Sequence, residues 1–154
     1  MFTGQTMTTL RSAINTLLNA DDVLMGILTG GIHDSTEISR SATPSAYDDR
    51  GDLKPCAVLR MGTASGRPPF DDAADEYVYL YFYQKPGSYA SIDSAMSQAY
   101  TTLHCAALTI DPGWVCELRW GNDLGDSWDD ALGAPMNYSR YKATTVRRDR
   151  LSAY

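Results

Sequence analysis

Residues 76–84 read EYVYLYFYQ, and this run decides the fold. Strand side chains alternate between two faces, so Val78, Leu80 and Phe82 share one side and Tyr77, Tyr79, Tyr81 and Tyr83 the other. Lys85-Pro86-Gly87 ends the run. The purely apolar face needs a cover, and the chain supplies one directly downstream. Ile92, Ala95, Met96, Ala99, Tyr100, Leu103, Ala106 and Ala107 recur at helical spacing, which predicts about five turns of amphipathic helix capped by Ser88 or Ser91. Upstream, residues 55–61 (PCAVLRM) form a second strand candidate bounded by Pro and Gly. Residues 62–75 (GTASGRPPFDDAAD) read as the loop between the two strands. Beyond the helix, Asp111-Pro112-Gly113 marks a turn, residues 114–120 (WVCELRW) a third strand, and residues 136–146 a fourth.

The N-terminal third is helical. Leu10, Ile14, Leu17 and Leu18 fall on one face of a 3.6-residue period, with Thr8 or Thr9 able to cap its start. Asp21 can cap a short second helix carrying Val23, Leu24, Ile27 and Leu28, and Gly30-Gly31 stops it. Residues 33–54 lack periodicity and are rich in Ser, Asp, Arg and Thr, so they read as a long loop fixed only on assembly. The Arg50-Gly51-Asp52 in it, an integrin-ligand tripeptide, reads as chance in a polar loop. The expected architecture is α+β: a mixed, mostly antiparallel sheet of about four strands with helices packed on one face. Residues 1–8 are expected to be a flexible arm, 9–146 a single domain, and 147–154 a C-terminal tail.

The chain has 154 residues, 44% of them hydrophobic and 21% charged, a composition ordinary for one globular domain. Nineteen acidic against thirteen basic residues give a net charge of −6. That balance argues against a protein holding nucleic acid through its phosphates. Arg147, Arg148 and Arg150 are the local exception. No apolar run approaches the roughly 18 residues of a membrane span. The opening residues MFTGQTMTT have neither a basic stretch nor an apolar core, so no signal peptide is expected. Cys56, Cys105 and Cys116, odd in number and spaced like buried side chains, suit a reducing compartment.

Catalytic chemistry finds no persuasive arrangement. His33 follows Gly-Gly at a helix end, where a donor suits the free carbonyls. His104 and Cys105 are neighbours on the expected long helix, where adjacent side chains diverge by about 100° and do not meet. The cysteines offer no C-x-x-C and the histidines no H-x-x-x-H for zinc. The acidic doublets Asp21-Asp22, Asp48-Asp49, Asp71-Asp72 and Asp129-Asp130 read as turns and caps. Asn122-Asp123-Leu124-Gly125-Asp126 comes nearest to a calcium loop but lacks the distal Glu. No catalytic residue, metal site or cofactor is expected, and the chain reads as no enzyme. The tyrosine row is the outstanding feature: Tyr77, Tyr79, Tyr81 and Tyr83 supply rigid, amphipathic contact area suited to a subunit interface.

From the helix ending in Leu17-Leu18-Asn19-Ala20-Asp21, through Gly30-Gly31-Ile32-His33-Asp34 and Pro55-Cys56-Ala57-Val58-Leu59, to the acidic loop, aromatic strand and long helix, the chain resembles the tail-terminator (tail-completion) proteins of long-tailed bacteriophages. The likeness covers about residues 9–120 and rests on patterns of hydrophobicity and turns. It implies a structural virion protein: six copies form a ring at the head-proximal end of the tail tube, end tube growth and join the tail to the head connector. The partners it implies are the chain itself, the tail tube protein and a head-closure or connector protein. DNA would pass through without specific binding, and no membrane is involved. The location would be the virion neck or tail, with the host cytoplasm during assembly. Asp71, Asp72, Asp75 and Glu76 would then form an acidic loop lining the channel or touching the tube. Other readings are a neighbouring neck protein (head-closure or adaptor) and a small cytosolic enzyme or ligand-binding domain.

Overall fold

The computed structural model describes residues 7–34, 38, 45–67 and 70–147, without the side chains of 67, 70–72 and 147. The N-terminal arm up to residue 6, most of the 33–54 loop's first half and the tail from 148 lie outside the described residues.

Helix α1 (Leu10–Asn19) begins at Thr9, which the two candidate caps left open. The Ser12 N–H donates to Thr9 Oγ1 at 3.1 Å and the Thr9 N–H donates to Ser12 Oγ at 2.9 Å, so two otherwise orphaned amides are satisfied reciprocally. Leu10, Ile14 and Leu18 form its buried stripe. Helix α2 (Asp22–Ile27) is capped by Asp21, whose carboxylate accepts from the Leu24 N–H at 3.1 Å. At helix α3 (Ala90–Leu103) the N-cap position falls to Tyr89 and not to either serine, although Ser88 Oγ accepts from the Ala90 N–H at 3.0 Å. Gln84, buried just beyond the aromatic strand, accepts there from the Ser91 and Ile92 N–H groups at 2.9 and 3.1 Å.

Among the described residues seven strands follow one another: β1 (Ile32–His33), β2 (Cys56–Arg67), β3 (Phe70–Tyr83), β4 (Ala107–Ile110), β5 (Trp114–Asp123), β6 (Ser127–Asp129) and β7 (Ala134–Arg147). They form one sheet in the order β1-β2-β3-β7-β5-β4, with β6 pairing β7. β1 runs parallel to β2 and the other pairs are antiparallel. The expected four-stranded sheet with helices on one face is therefore corrected to a mostly-β fold. Its sheet also curls: α1 touches both β2 and β4, which three strands separate in the sheet order. Thr8 and Asp111, at the far turn, exchange hydrogen bonds through the Thr8 N–H to Asp111 Oδ2 at 2.6 Å and the Asp111 N–H to Thr8 O at 2.9 Å. The helices fill the hollow of a half-barrel instead of forming a separate layer.

Val78, Leu80 and Phe82 face this hollow and are buried with Leu10, Ile14, Ile92 and Leu103. The convex face is not bare. A second cluster there joins Ala46, Leu53, Cys56, Val58, Tyr83 and Ala134, held under a loop pinned by a Tyr47–Leu53 bridge.

Two local expectations change with the topology. Residues 62–67 and 70–75, read as a loop, are the outer half of a long β2–β3 hairpin, with Ser65 opposite Asp75 and Ala64 opposite Glu76. The long helix stops at Leu103. Cys105 adopts a left-handed conformation (φ 65°) and Ala107 already belongs to β4.

Candidate functional site

Convex and concave faces of the sheet each carry an aromatic surface, and they differ in kind. On the convex face, β3 presents Tyr77, Tyr79 and Tyr81 half-buried, whereas Tyr83 is buried. Burial, and then the nearby Asp129 carboxylate, push the Tyr83 phenol well above its ordinary pKa, so it stays protonated. The row is therefore three rings long at the surface. Tyr138, opposite Tyr81 on β7, completes a cluster with ring centres 5.6 Å from Tyr79 and 5.2 Å from Tyr81. Tyr79 lies over Gly62, where an added Cβ would come within 2.6 Å of its ring. The guanidinium of Arg60 sits 5.6 Å from the Tyr81 ring centre and that of Arg140 4.8 Å from Tyr77, cation–π contacts that fix the rings.

The four acidic positions of the expected channel loop lie on β3, where Asp75 and Glu76 point to opposite faces. Asp75 accepts from Thr144 Oγ1 at 2.8 Å and pairs with Lys142 at 3.6 Å. Glu76 alternates to the concave side, where burial raises its pKa and the Arg11 charge on α1 partly offsets this. The backbone of Asp71 and Asp72 belongs to the same strand, and their side chains lie outside the described residues.

The concave face carries a groove that sequence reasoning missed. It is a cavity of about 490 Å³ between α3 and the facing parts of β5 and β7. Asp93, Met96, Ser97 and Tyr100 line one wall; Trp120, Asp123, Asn137 and Ser139 line the other. A bulge creates it. Trp120 pairs with Tyr141 and Asn122 with Arg140, leaving Gly121 unpaired, so Asp123 turns back to the concave side. Any side chain at 121 would meet the Arg140 carbonyl at 3.0 Å. Asp123 Oδ1 accepts from Trp120 Nε1 at 2.9 Å and from Ser139 Oγ at 2.8 Å, which locks the wall. Tyr100 (43% exposed) and Trp120 (41% exposed) meet edge-to-face with centres 6.2 Å apart. Beneath them the Tyr141 hydroxyl is buried without a hydrogen-bond partner. Burial, then Asp123 and Tyr100, keep that phenol protonated well above its usual range. The available signal was Tyr100, counted in the helix's apolar stripe although it stands at the stripe's edge.

The other singled-out residues are structural. His33 is buried, and its Nε2 donates to the Gly30 carbonyl at 2.8 Å. His104 stacks on Tyr100 at 4.8 Å, and its Nδ1 accepts from the Trp120 N–H at 3.0 Å, bracing the groove from behind. Cys105, expected in the core, is exposed, while Cys56 and Cys116 are buried. Burial raises the Cys56 thiol to about 12. Among the described residues, no three of His, Cys, Asp and Glu are grouped to hold a metal ion, and no helix is long and apolar enough to cross a membrane.

Fold and surfaces together define a class: a small, mostly-β half-barrel curled around its helices, with unlike aromatic surfaces on the two sides of one sheet. No known family's sequence profile matches the chain, and no curated protein matches it. Its fold is similar to that of a chain in the solved structure titled "Virion of native gene transfer agent (GTA) particle". The TM-score is 0.70 at 14% identity, over 89% of this chain and 94% of that one. At that identity the likeness is one of fold.

Proposed function

We propose that the chain is a structural protein of a phage-like virion, and that it forms a ring at the head-proximal end of the tail tube, ending tube growth and joining tail to head connector. The observation that carries this reading is the fold likeness to a chain of a gene transfer agent virion, which extends over nearly the whole of both chains. The order of helices and strands supports the tail-terminator position, and the ring of six comes from that resemblance alone. Ring closure requires a surface that fits a different patch on the neighbouring copy. The Tyr77, Tyr79, Tyr81 and Tyr138 cluster supplies one such surface. In this reading the partners are other copies of the chain, the tube protein and a head-closure or connector protein. The tube contact falls to the β2–β3 hairpin bearing Asp71, Asp72 and Asp75, and DNA passes through unbound.

Removing the gene from a particle-producing genome tests the assignment by electron microscopy. The expected result is tubes of uncontrolled length beside unattached heads. Tubes of normal length beside heads that have lost their DNA would move the chain to head closure. Normal particles would overturn the structural reading.

A further inference from the structure

The concave groove combines two exposed aromatic rings and two carboxylates in one cavity. Among the described residues, no basic side chain pairs with Asp93 or Asp123. A groove of that chemistry suits a guanidinium, which bonds carboxylates through its planar fork and stacks on aromatic faces. The chain contains a matching segment. Arg148-Asp149-Arg150-Leu151 follows β7 directly and, with Arg147, gathers three of the thirteen basic residues within four positions.

We infer that the groove receives this basic segment from a second copy of the chain. The inference deepens the ring reading, adding a contact on the side of the sheet opposite the tyrosines. Reach excludes the chain's own segment. Ser139, in the groove wall, and Arg147, at the end of β7, are eight residues apart on one strand, about 27 Å. Arg150 stands three residues past Arg147, a reach of only about 10 Å. Arg148 and Arg150 of one copy therefore fall short of that copy's own groove, which leaves the groove to a neighbour's segment. Each copy then offers one segment and one groove, a head-to-tail contact of the kind that closes into rings. In the complex Arg148 and Arg150 pair with Asp93 and Asp123 and stack on Tyr100 and Trp120, and Leu151 covers Met96.

A fluorescein-labelled peptide of sequence RRDRLSAY, titrated with the full chain and followed by anisotropy, tests the contact. Saturable binding is expected, weakening as salt rises from about 50 to about 200 mM. Asp93→Lys should weaken it by at least about tenfold, and Ser97→Arg, which intrudes on the same wall, should do likewise. Asp52→Lys, an equal charge change at an exposed loop position outside both aromatic surfaces, should leave it unchanged. Circular dichroism confirms that each variant is folded. No binding up to about 1 mM peptide, or binding indifferent to both groove variants, overturns the inference. Either negative result leaves the ring reading to the gene-removal experiment, so the two fail separately.

Discussion

Asp21 joins two helices through one carboxylate. It caps α2 through the Leu24 N–H, and its other oxygen accepts from Gln98 Nε2 at 2.9 Å and from Thr102 Oγ1, both on α3. Burial opposes ionisation here, but the bonds from Thr102, Gln98 and the Leu24 and Val23 amides outweigh it and hold the carboxyl below its ordinary 3.8. A carboxyl lowered by folding adds stability that is complete above its unfolded value and drains away as pH falls through the lowered folded value. Asp21→Ala should therefore cost about 1 kcal/mol at neutral pH, the usual cost of losing an N-cap. For a chain of this size that lowers Tm by about 2–4 °C. Thermal melts should show the gap between wild type and variant narrowing below pH 3.8. An equal gap at all pH values would mean that the carboxylate charge contributes nothing. The Asp21 cap was readable because a cap lies beside the helix it serves. Gln84 was not, because its amide reaches α3 from seven residues upstream, across Pro86-Gly87.

At the scale of elements, the apolar face of β3 and the helix that covers it were readable from alternation and period, and the rest of the sheet was not. Residues 62–67 (GTASGR) carry no apolar alternation, so no local signal marks them as strand. They are ordered by pairing with residues 70–76, which in turn pair with β7 through Ala73–Val146 and Asp75–Thr144. Such pairing is non-local and leaves little trace in either segment. The same applies to β4, whose residues Ala107–Ile110 continue an apolar run that suits a helix until the left-handed Cys105 redirects the chain. The tyrosine row is legible as a row but not in its depth: the loop at residues 45–53 buries its lower end around Tyr83. That leaves Tyr79 the best probe of the proposed interface, half-exposed and clear of the second core. Tyr79→Asp should keep the far-UV spectrum and cost only about 1 kcal/mol, the scale of one cross-strand aromatic pair. Sedimentation and electron microscopy should show loss of rings or of joined particles. Normal assembly by the folded variant would reduce the row to ordinary sheet surface.

For the whole molecule, charge and curvature act together. The sheet wraps its helices, and what it offers outward is a convex aromatic face, a concave acidic groove and a long hairpin, on a chain of net charge −6. Duplex DNA is a dense line of phosphates, and a protein gains affinity for it by displacing counterions with Lys and Arg. The one concentration of positive charge is the Arg147–Arg150 segment. With at most three phosphates engaged, log K should fall with log salt at a slope no steeper than about −2.7. Binding at physiological salt should then be weaker than about micromolar, in the range of non-specific contacts. Reversing Arg148 and Arg150 to Glu should abolish what binding remains, and the same change should disrupt the proposed contact between copies. Assembly itself should have a parallel effect: once each basic segment lies in a neighbour's groove, rings should bind DNA less tightly per chain than free subunits do. Filter binding across a salt series, on rings and subunits separated by gel filtration, measures both. Sub-micromolar, steeply salt-dependent binding by rings would show a surface built to hold DNA, and would overturn the proposal that DNA passes through the ring unbound.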